Sequence, residues 1–547
     1  MALSKCTCPM LIWLNEIVHM IPLKINVLIN MKHYTTNVLL QAFIVGIFLF
    51  TSCTADFEEI NRLGGALSEE ELNRDNYRSG VFFITLQDNA FPAQENNYQM
   101  NQNLIGDYLG RYMMYTNAGW SSANFTTYNA PRAWVNYPFN NVMTNIYSAW
   151  NEIARATGKS GISYAWAQIL RVQAMHRLTD MYGPIPYSKI TGEELKTSYD
   201  TQEEVYKNLF TDLNEAIETF KSYVASNPQG TPFAEFDRVY GGNMNQWIKY
   251  ANSLKLRMAI RIRYADPALA REMGEAAVKD GVITANADNA MEAYAKNPIE
   301  VMWNAYGDAR LCADMESYLN GYNDPRANAY AQPSNIEGAS RSIVGIRSGA
   351  NVTNQEIARR YSSPVAGIKD PILWLSAAEM AFCRAEGALI GWNGMGGTVK
   401  ELYNEGITLS FEQWGVSGAS KYIEDDLLTQ ADYTDPQSVA GNLSAVSHIT
   451  IKWNDRDGEE KQLERLITQK WLALWPNGHE AWCEIRRTGY PRIFPLAQST
   501  NYGSLKVANR IPFNSDEYTN NRENVETAVA AMGGTDDYAT KMWWQKK

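Results

Sequence analysis

The stretch Tyr164-Ala165-Trp166-Ala167-Gln168-Ile169-Leu170-Arg171-Val172-Gln173-Ala174-Met175-His176-Arg177-Leu178-Thr179-Asp180-Met181-Tyr182 decides how this chain folds. Trp166, Leu170, Ala174 and Leu178 recur every four residues, which lines them along one face of an α-helix. Gly183-Pro184-Ile185-Pro186 follows and ends the helix, because proline cannot continue the hydrogen-bond ladder. The same rhythm returns downstream. Asp200-Thr201-Gln202-Glu203-Glu204 reads as a helix start with acids in the first turn, and Val205, Leu209, Leu213 and Ile217 supply its stripe. Residues 247–264 repeat the pattern through Trp247, Ala251, Leu254, Met258 and Ile262. Their basic residues, Lys249, Lys255, Arg257, Arg261 and Arg263, are expected to form a solvated or ion-paired face.

Further helices are predicted over 373–390, 399–414 and 463–475. The segments pair off as 141–157 with 161–182, 201–224 with 243–264, and 371–391 with 399–414. Successive hairpins of this size predict a mostly α fold, a tetratricopeptide-like scaffold decorated by long irregular loops with few short strands. Residues 448–453 are the best strand candidate. Stretches rich in Gly, Asn and Tyr at 110–140, 290–365 and 485–520 are expected to be irregular, and loops that long are often functional.

The N-terminal region has a different character. Lys32 and His33 precede an apolar segment of 13 residues, 38–50, interrupted by Gln41, and then Thr51-Ser52-Cys53. Charged start, apolar middle and small residues at the cut make an export signal, and a spanning helix needs about 20 apolar residues. With cysteine at the cut, the segment resembles a bacterial lipobox in which Cys53 is the lipidated first residue. An ordinary signal peptide, or a short buried helix with an incidental cysteine, is the alternative. Met31 begins a complete signal by itself, so residues 1–52 are expected to be a mis-assigned start plus a lipoprotein signal peptide, and 53–547 a single domain. One acyl chain binds membrane only marginally, whereas several chains anchor effectively permanently.

Bulk properties exclude some functions. The 547 residues carry a formal charge of −11, and the first 52 hold three lysines and one glutamate, so the remainder is near −13. That opposes binding to a phosphate backbone, and no nucleic-acid partner is expected. Cys312, Cys383 and Cys483 are too far apart for a disulfide framework, and Cys383 and Cys483 read as small buried hydrophobes. His479-Glu480 lacks the second histidine of a helical zinc motif, and no Cys/His cluster has metal-ligand spacing. Neither metal nor cofactor is expected. Gly158-Lys159-Ser160 lacks the first P-loop glycine, since Ile153 stands there. Gly394-Met395-Gly396-Gly397 lacks the third glycine of a dinucleotide loop, and Trp453 stands where a calcium loop needs its first aspartate. No Gly-x-Ser-x-Gly elbow occurs. With 60 carboxylates a glycosidase-like pair stays open, but none stands out.

Aromatic density without charge does stand out. From Tyr108 to Phe139, nine of 32 residues are aromatic, including Trp120, Tyr128 and Trp134, with only Arg111 and Arg132 charged and Asn117, Asn124, Asn129 and Asn136 interspersed. A second group comprises Trp303, Tyr306, Tyr318 and Tyr322, with Asp308, Asn323, Asp324 and Arg326 nearby. A flat ring offers an apolar face to the C–H face of a sugar, and Asn, Asp and Arg can bond its hydroxyls. Burying about 60 Å² of one ring contributes roughly 1.5 kcal/mol. Any single ring is better explained by packing a long loop onto the helical body. As clusters they make Trp120, Tyr128, Trp134, Trp303, Tyr306, Tyr322 and Arg326 the candidate ligand-contacting residues.

The C-terminal half carries a resemblance. Gln469-Lys470-Trp471-Leu472-Ala473-Leu474-Trp475-Pro476-Asn477-Gly478 is followed by Glu480-Ala481-Trp482-Cys483-Glu484-Ile485-Arg486-Arg487-Thr488-Gly489-Tyr490-Pro491. With Arg177-Leu178-Thr179-Asp180-Met181-Tyr182-Gly183-Pro184-Ile185-Pro186-Tyr187, Tyr403-Asn404-Glu405-Gly406-Ile407, Arg510-Ile511-Pro512-Phe513 and Met542-Trp543-Trp544, the chain resembles the SusD/RagB family of Bacteroidetes outer-membrane lipoproteins, in its SusD-like branch. The resemblance spans essentially all of 53–547.

It implies a tetratricopeptide-like scaffold and a lipoprotein on the cell surface. It also implies a SusC-like TonB-dependent transporter partner, whose nutrient cavity the protein caps. Family members bind glycans, or in some cases peptides, without cleaving them. The expected function is therefore non-catalytic capture of an oligosaccharide for delivery to that transporter. An all-helical glycoside hydrolase and a purely structural lid are the rivals. Asp56, Glu58 and Glu59 resemble the acidic stretch that routes such lipoproteins outward, and read equally as a solvated linker. Arg486 to Pro491 is expected to be a fold-specifying corner, with guanidinium groups on carbonyls and a turn at Gly489 and Pro491.

Overall fold

The computed structural model describes residues 77–190, 196–498 and 500–547, all within the second of two compact units, Asp75–Lys547. Cys53 and the expected export signal lie outside the described residues. Helix α1 is Tyr77–Ala90, α2 Arg132–Thr157, α3 Gly161–Tyr182, α4 Gln202–Ser226, α5 Met244–Ile262 and α6 Pro267–Asp280. The second half adds α7 (Ala313–Gly321), α8 (Ala377–Leu389), α9 (Val399–Gln413), α10 (Glu459–Ala473), α11 (Gly478–Thr488) and α12 (Arg522–Met532). The starts follow local chemistry. Thr201 accepts from the Glu204 amide while Glu204 returns a bond to Thr201 N, and Thr398 and Glu401 repeat this box on α9.

Neighbouring helices pack as hairpins: α2 on α3, α3 on α4, α4 on α5, α5 on α6, and α8 on α9. Helix α10 lies across α8 and α9, and α11 follows it. The result is the tetratricopeptide-like scaffold expected, with few strands. Those strands are short: β1 (Met113–Tyr115) pairs antiparallel with β3 (Ala309–Leu311), and β2 (Ala290–Glu292) with β4 (Ile372–Leu375). Among the described residues no helix is long and apolar enough to cross a membrane.

Several expectations change. Helix α8 starts at Ala377, capped by the Ser376 side chain, and the Ile372–Leu375 run before it is strand β4. A short apolar run satisfies either structure, and pairing with β2 decides. Residues 448–453 form no ladder. Their carbonyls go to side chains instead: Tyr322 Oη donates to Ile449 O at 3.0 Å and Tyr403 Oη to Ile451 O at 2.6 Å. The region 110–140 is partly helical, since α2 begins at Arg132.

Of the two alternatives for the basic residues of α5, ion pairing holds for the arginines, while Lys249 stays partly exposed against Asp288 at 2.7 Å. Arg257 binds Glu379 at 2.6 Å, Arg261 binds Glu480 at 2.5 Å, and Arg263, just past the helix, binds Glu386 at 2.9 Å, all buried. Helix α5 touches α4, α6 and α8, so its arginine charges meet carboxylates inside the core rather than water. The corner after α11 behaves as expected in part. Arg486 Nη1 donates to the carbonyls of Asp180 and Asn509 at 2.8 Å each, and Gly489 closes the helix at φ +83°. Arg487 instead pairs with Glu386 and Glu484.

One contact places the loops that follow. The π-helical segment Gln99–Asp107 packs on the N-terminus of α11. A Cβ on Gly478 would stand 2.4 Å from Asp107 Cα, so only glycine permits this approach. The Asp107 carboxylate accepts from Tyr98 Oη (2.8 Å), Gln102 Nε2 (2.9 Å) and Asn103 Nδ2 (3.1 Å). Burial outweighs these donors and pushes Asp107 up to about 7. Its folded pKa exceeds its unfolded one, so the folded state holds the extra proton between about 4 and 7. The stability contributed by that proton is fully present below pH 4 and is lost as pH rises through 7. An Asp107→Asn variant has no such loss. Its melting temperature relative to the native chain is expected to rise steadily from pH 4.5 to 8, a difference in which the other titrating groups cancel. A pH-independent difference would contradict this.

Candidate functional site

Strands β1 and β3 bring the segment that carries Trp120 and the segment that carries Trp303 and Tyr306 to the same end of one strand pair. Tyr115 faces Ala309 in the antiparallel register, so the chain leaving β1 and the chain entering β3 emerge at the same end. The Thr116 amide donates to Asp308 O at 3.0 Å, and Asn117 Nδ2 reaches Asp308 Oδ1 at 3.4 Å. Trp120 lies just beyond the first of these residues and Trp303 to Tyr306 just before the second. The Ser121 hydroxyl donates to Val352 O, which adds the segment 349–360 as a third side.

In the first cluster Trp120 and Trp134 are half-buried and meet edge to face, with centroids 5.2 Å apart at 85°. Buried Phe125 stacks on Trp134 at 6.3 Å and 27°, which fixes that ring from below. The interspersed asparagines do local work. Asn117 Oδ1 accepts from Gly119 N at 3.0 Å and Asn124 Oδ1 from Thr127 N at 3.0 Å, capping two short turns. Asn129 Nδ2 donates to Ser122 O at 2.8 Å, and Asn136 Nδ2 to Ser515 Oγ at 2.8 Å. These amides hold rings in position; their numbers in the sequence reflect loop building.

In the second cluster Trp303 is half-buried, and its buried indole Nε1 has no hydrogen-bond partner. Tyr306 is exposed at 36% and donates to Asn96 Oδ1 at 3.3 Å. Two arginines brace the turn between them. Arg310 Nη1 donates to Trp303 O at 3.0 Å, while Arg359 donates to Tyr306 O at 2.7 Å and Gly307 O at 3.1 Å. Burial and the neighbouring Arg359 charge push Arg310 down to about 10. Burial raises the Asp308 carboxyl, against the amide of Asn117.

Three of the seven candidate residues lie in the interior. Tyr128 is 3% exposed, packs against Tyr538 at 5.9 Å and donates to Leu505 O at 3.3 Å. Tyr322 is 1% exposed, with its hydroxyl committed to Ile449. Arg326 is fully buried, pairs with Asp324 at 2.6 Å and donates to Ser410 Oγ at 2.9 Å. Each holds a loop onto the helical body. Trp120, Trp134, Trp303 and Tyr306 form the accessible rim. Arg310 and Arg359 escaped sequence reading, because their lack of an ion-pair partner within 4 Å among the described residues, with Asp308 only near enough to feel the Arg359 charge, is a property of the fold.

Two other features are distinct from this rim. Asp180, His479 and Cys483 offer ligand atoms within 4.8 Å of one another in the core. Arg261 Nε stands 3.4 Å from Asp180 Oδ2 and Arg486 Nη2 3.0 Å from Cys483 Sγ, so guanidinium groups already occupy the position a cation would take. An apolar cavity of about 320 Å³ is lined by Met291, Ile299, Val365, Leu373, Trp414 and Trp475, among others.

Residues 59–545 match the family model described as SusD-like, SusD and RagB outer membrane lipoprotein. Among solved structures, a SusD homolog from Bacteroides uniformis is 40% identical, covering 86% of this chain and 100% of that one, with a TM-score of 0.82. A SusD-like protein from Bacteroides thetaiotaomicron is 35% identical, with coverage of 86% and 99% and a TM-score of 0.82. A chitin-binding SusD homolog from Flavobacterium johnsoniae is 36% identical, with coverage of 86% and 98% and a TM-score of 0.80. No curated protein matches the chain. Fold and sequence agree over the matched residues, and the chain belongs to the SusD-like family of outer membrane lipoproteins.

Proposed function

We propose that this protein binds oligosaccharide at the cell surface without cleaving it and passes it to a SusC-like TonB-dependent transporter in the outer membrane. The observation that carries the reading is the rim itself: Trp120, Trp134, Trp303 and Tyr306 are held at one end of the β1–β3 pair with part of each ring open. Rings fixed in advance lose little entropy when a sugar stacks on them. The carbohydrate-binding character of the family supports this, as does the chitin-binding relative, and SusD-like proteins are generally non-catalytic. Lipidation at Cys53, which lies outside the described residues, would tether the rim beside its transporter.

Affinity electrophoresis tests this reading, using the chain from Thr54 onward in gels containing plant, host and microbial polysaccharides. Retardation by at least one polymer, with no reducing ends released during incubation, is expected. Release of reducing ends would favour the hydrolase. Retardation by none, together with retention of a peptide pool, would favour the peptide-binding variant of the family.

A further inference from the structure

Arg310 is an anomaly among the buried arginines. It is 8% exposed, yet no carboxylate lies within 4 Å of it among the described residues. Arg257, Arg261, Arg326, Arg465 and Arg487 are buried more deeply still, and each has a carboxylate partner. Arg177 and Arg486 also lack one, but they lie in the core over the rings of Phe91 at 4.8 Å and Trp482 at 3.4 Å. Arg310 has neither compensation. Its bonds run only to carbonyls, those of Trp303, Ala309 and Arg359, and its Nη2 takes no protein acceptor. A desolvated guanidinium without a counter-charge is costly, so its retention calls for another source of negative charge.

The surroundings repeat the imbalance. Arg359 braces the same turn, lying against Gly307, whose φ of +67° and missing side chain make room: a Cβ there would meet the guanidinium at 2.6 Å. The segments that build the rim, 116–134, 303–310 and 349–360, carry Arg132, Arg310, Arg359 and Arg360 against Asp308 and Glu356. A positive rim on a chain of net charge −11 is a local exception.

We propose that Arg310 and Arg359 form a subsite for an anionic substituent, carboxylate or sulfate, on the sugar stacked at Trp303 and Tyr306. The proposal rests on reading the rim as a glycan platform and narrows that reading to acidic glycans. Arg359 keeps its terminal Nη1–Nη2 edge open and Arg310 its Nη2, so one fork and one further N–H group on the same turn can give a charge-assisted contact.

The test is capture from mixed oligosaccharide pools, prepared from plant, host and microbial polymers and split by anion exchange into neutral and acidic fractions. The chain from Thr54 onward is immobilised and the retained sugars are identified by mass spectrometry. Acidic oligosaccharides are expected to be enriched about tenfold or more over neutral ones, with enrichment falling between 50 and 500 mM salt. The variant Arg359→Met, which also removes two bonds to the turn, should lose most of that enrichment while it still retains neutral oligosaccharides as the native chain does, which shows the stacking rings in place. Carboxyl reduction and, separately, desulfation of the retained pool identify which anion is read. Equal retention of neutral and acidic sugars, abolished by Trp303→Ala, would overturn the anionic subsite and leave the platform standing. Retention of nothing would overturn the platform reading underneath it.

Discussion

An Arg487→Met variant is expected to unfold about 3–5 kcal/mol more easily than the native chain, the cost of stranding a buried charge partner. Arg487 is fully buried and grips Glu386 through both terminal nitrogens, at 2.5 and 2.8 Å, while Nη2 also holds Glu484 at 2.5 Å. Lys470 reaches Glu484 at 3.2 Å and Arg263 reaches Glu386 at 2.9 Å. The network therefore ties α8, α10, α11 and the end of α5 together. Burial alone would raise the Glu484 carboxyl; the cations of Arg487 and Lys470 outweigh it and hold the group well below the ordinary range. Methionine fills similar volume, so packing is largely kept and the effect is electrostatic. The double variant Arg487→Met, Glu386→Met should be less destabilised than the sum of the two single variants, because it removes both members of a pair. Denaturant unfolding measures both. A loss below about 1 kcal/mol for Arg487→Met would contradict the network's role.

The second large effect is on ligand binding. Truncating Trp120 and Trp303 together to alanine is expected to weaken oligosaccharide affinity about a hundredfold, with melting temperature little changed. Each open ring that covers a sugar face contributes on the order of 1.5 kcal/mol, so two contribute about 3 kcal/mol, and every 1.4 kcal/mol is tenfold. Both residues are half-buried rather than core, which limits the structural cost. Isothermal titration of the native chain and the variant with the same oligosaccharide gives the ratio. Unaltered affinity in the double variant would remove the rim from the site and favour the purely structural lid.

Much of the scaffold was legible because helical spacing is local. Trp166 to Leu178 announces α3 within twenty residues, and Thr201 with Glu204 marks the start of α4. Depth is not local. Nothing near Tyr322 or Arg326 distinguishes them from Tyr306, yet Asp324, Ser410 and Gln469, up to 143 residues away, close around Arg326. The basic stripe of α5 was ambiguous for the same reason, since its carboxylates come from α8 and α11. Two asparagines of the first cluster, Asn117 and Asn124, cap turns, and Asn129 and Asn136 tie neighbouring segments together, roles set by partners the sequence does not mark. The convergence of the two aromatic groups depends on the register of three-residue strands, too short to declare themselves in sequence.

Hydrogen exchange of the native chain, with and without an oligosaccharide that retards it in a gel, tests the central claim most directly. The predicted result is protection confined to 116–134, 303–310 and 349–360, the three sides of the aromatic rim. Protection centred instead on the apolar cavity around Met291, Val365 and Trp414, with the rim unchanged, would contradict it.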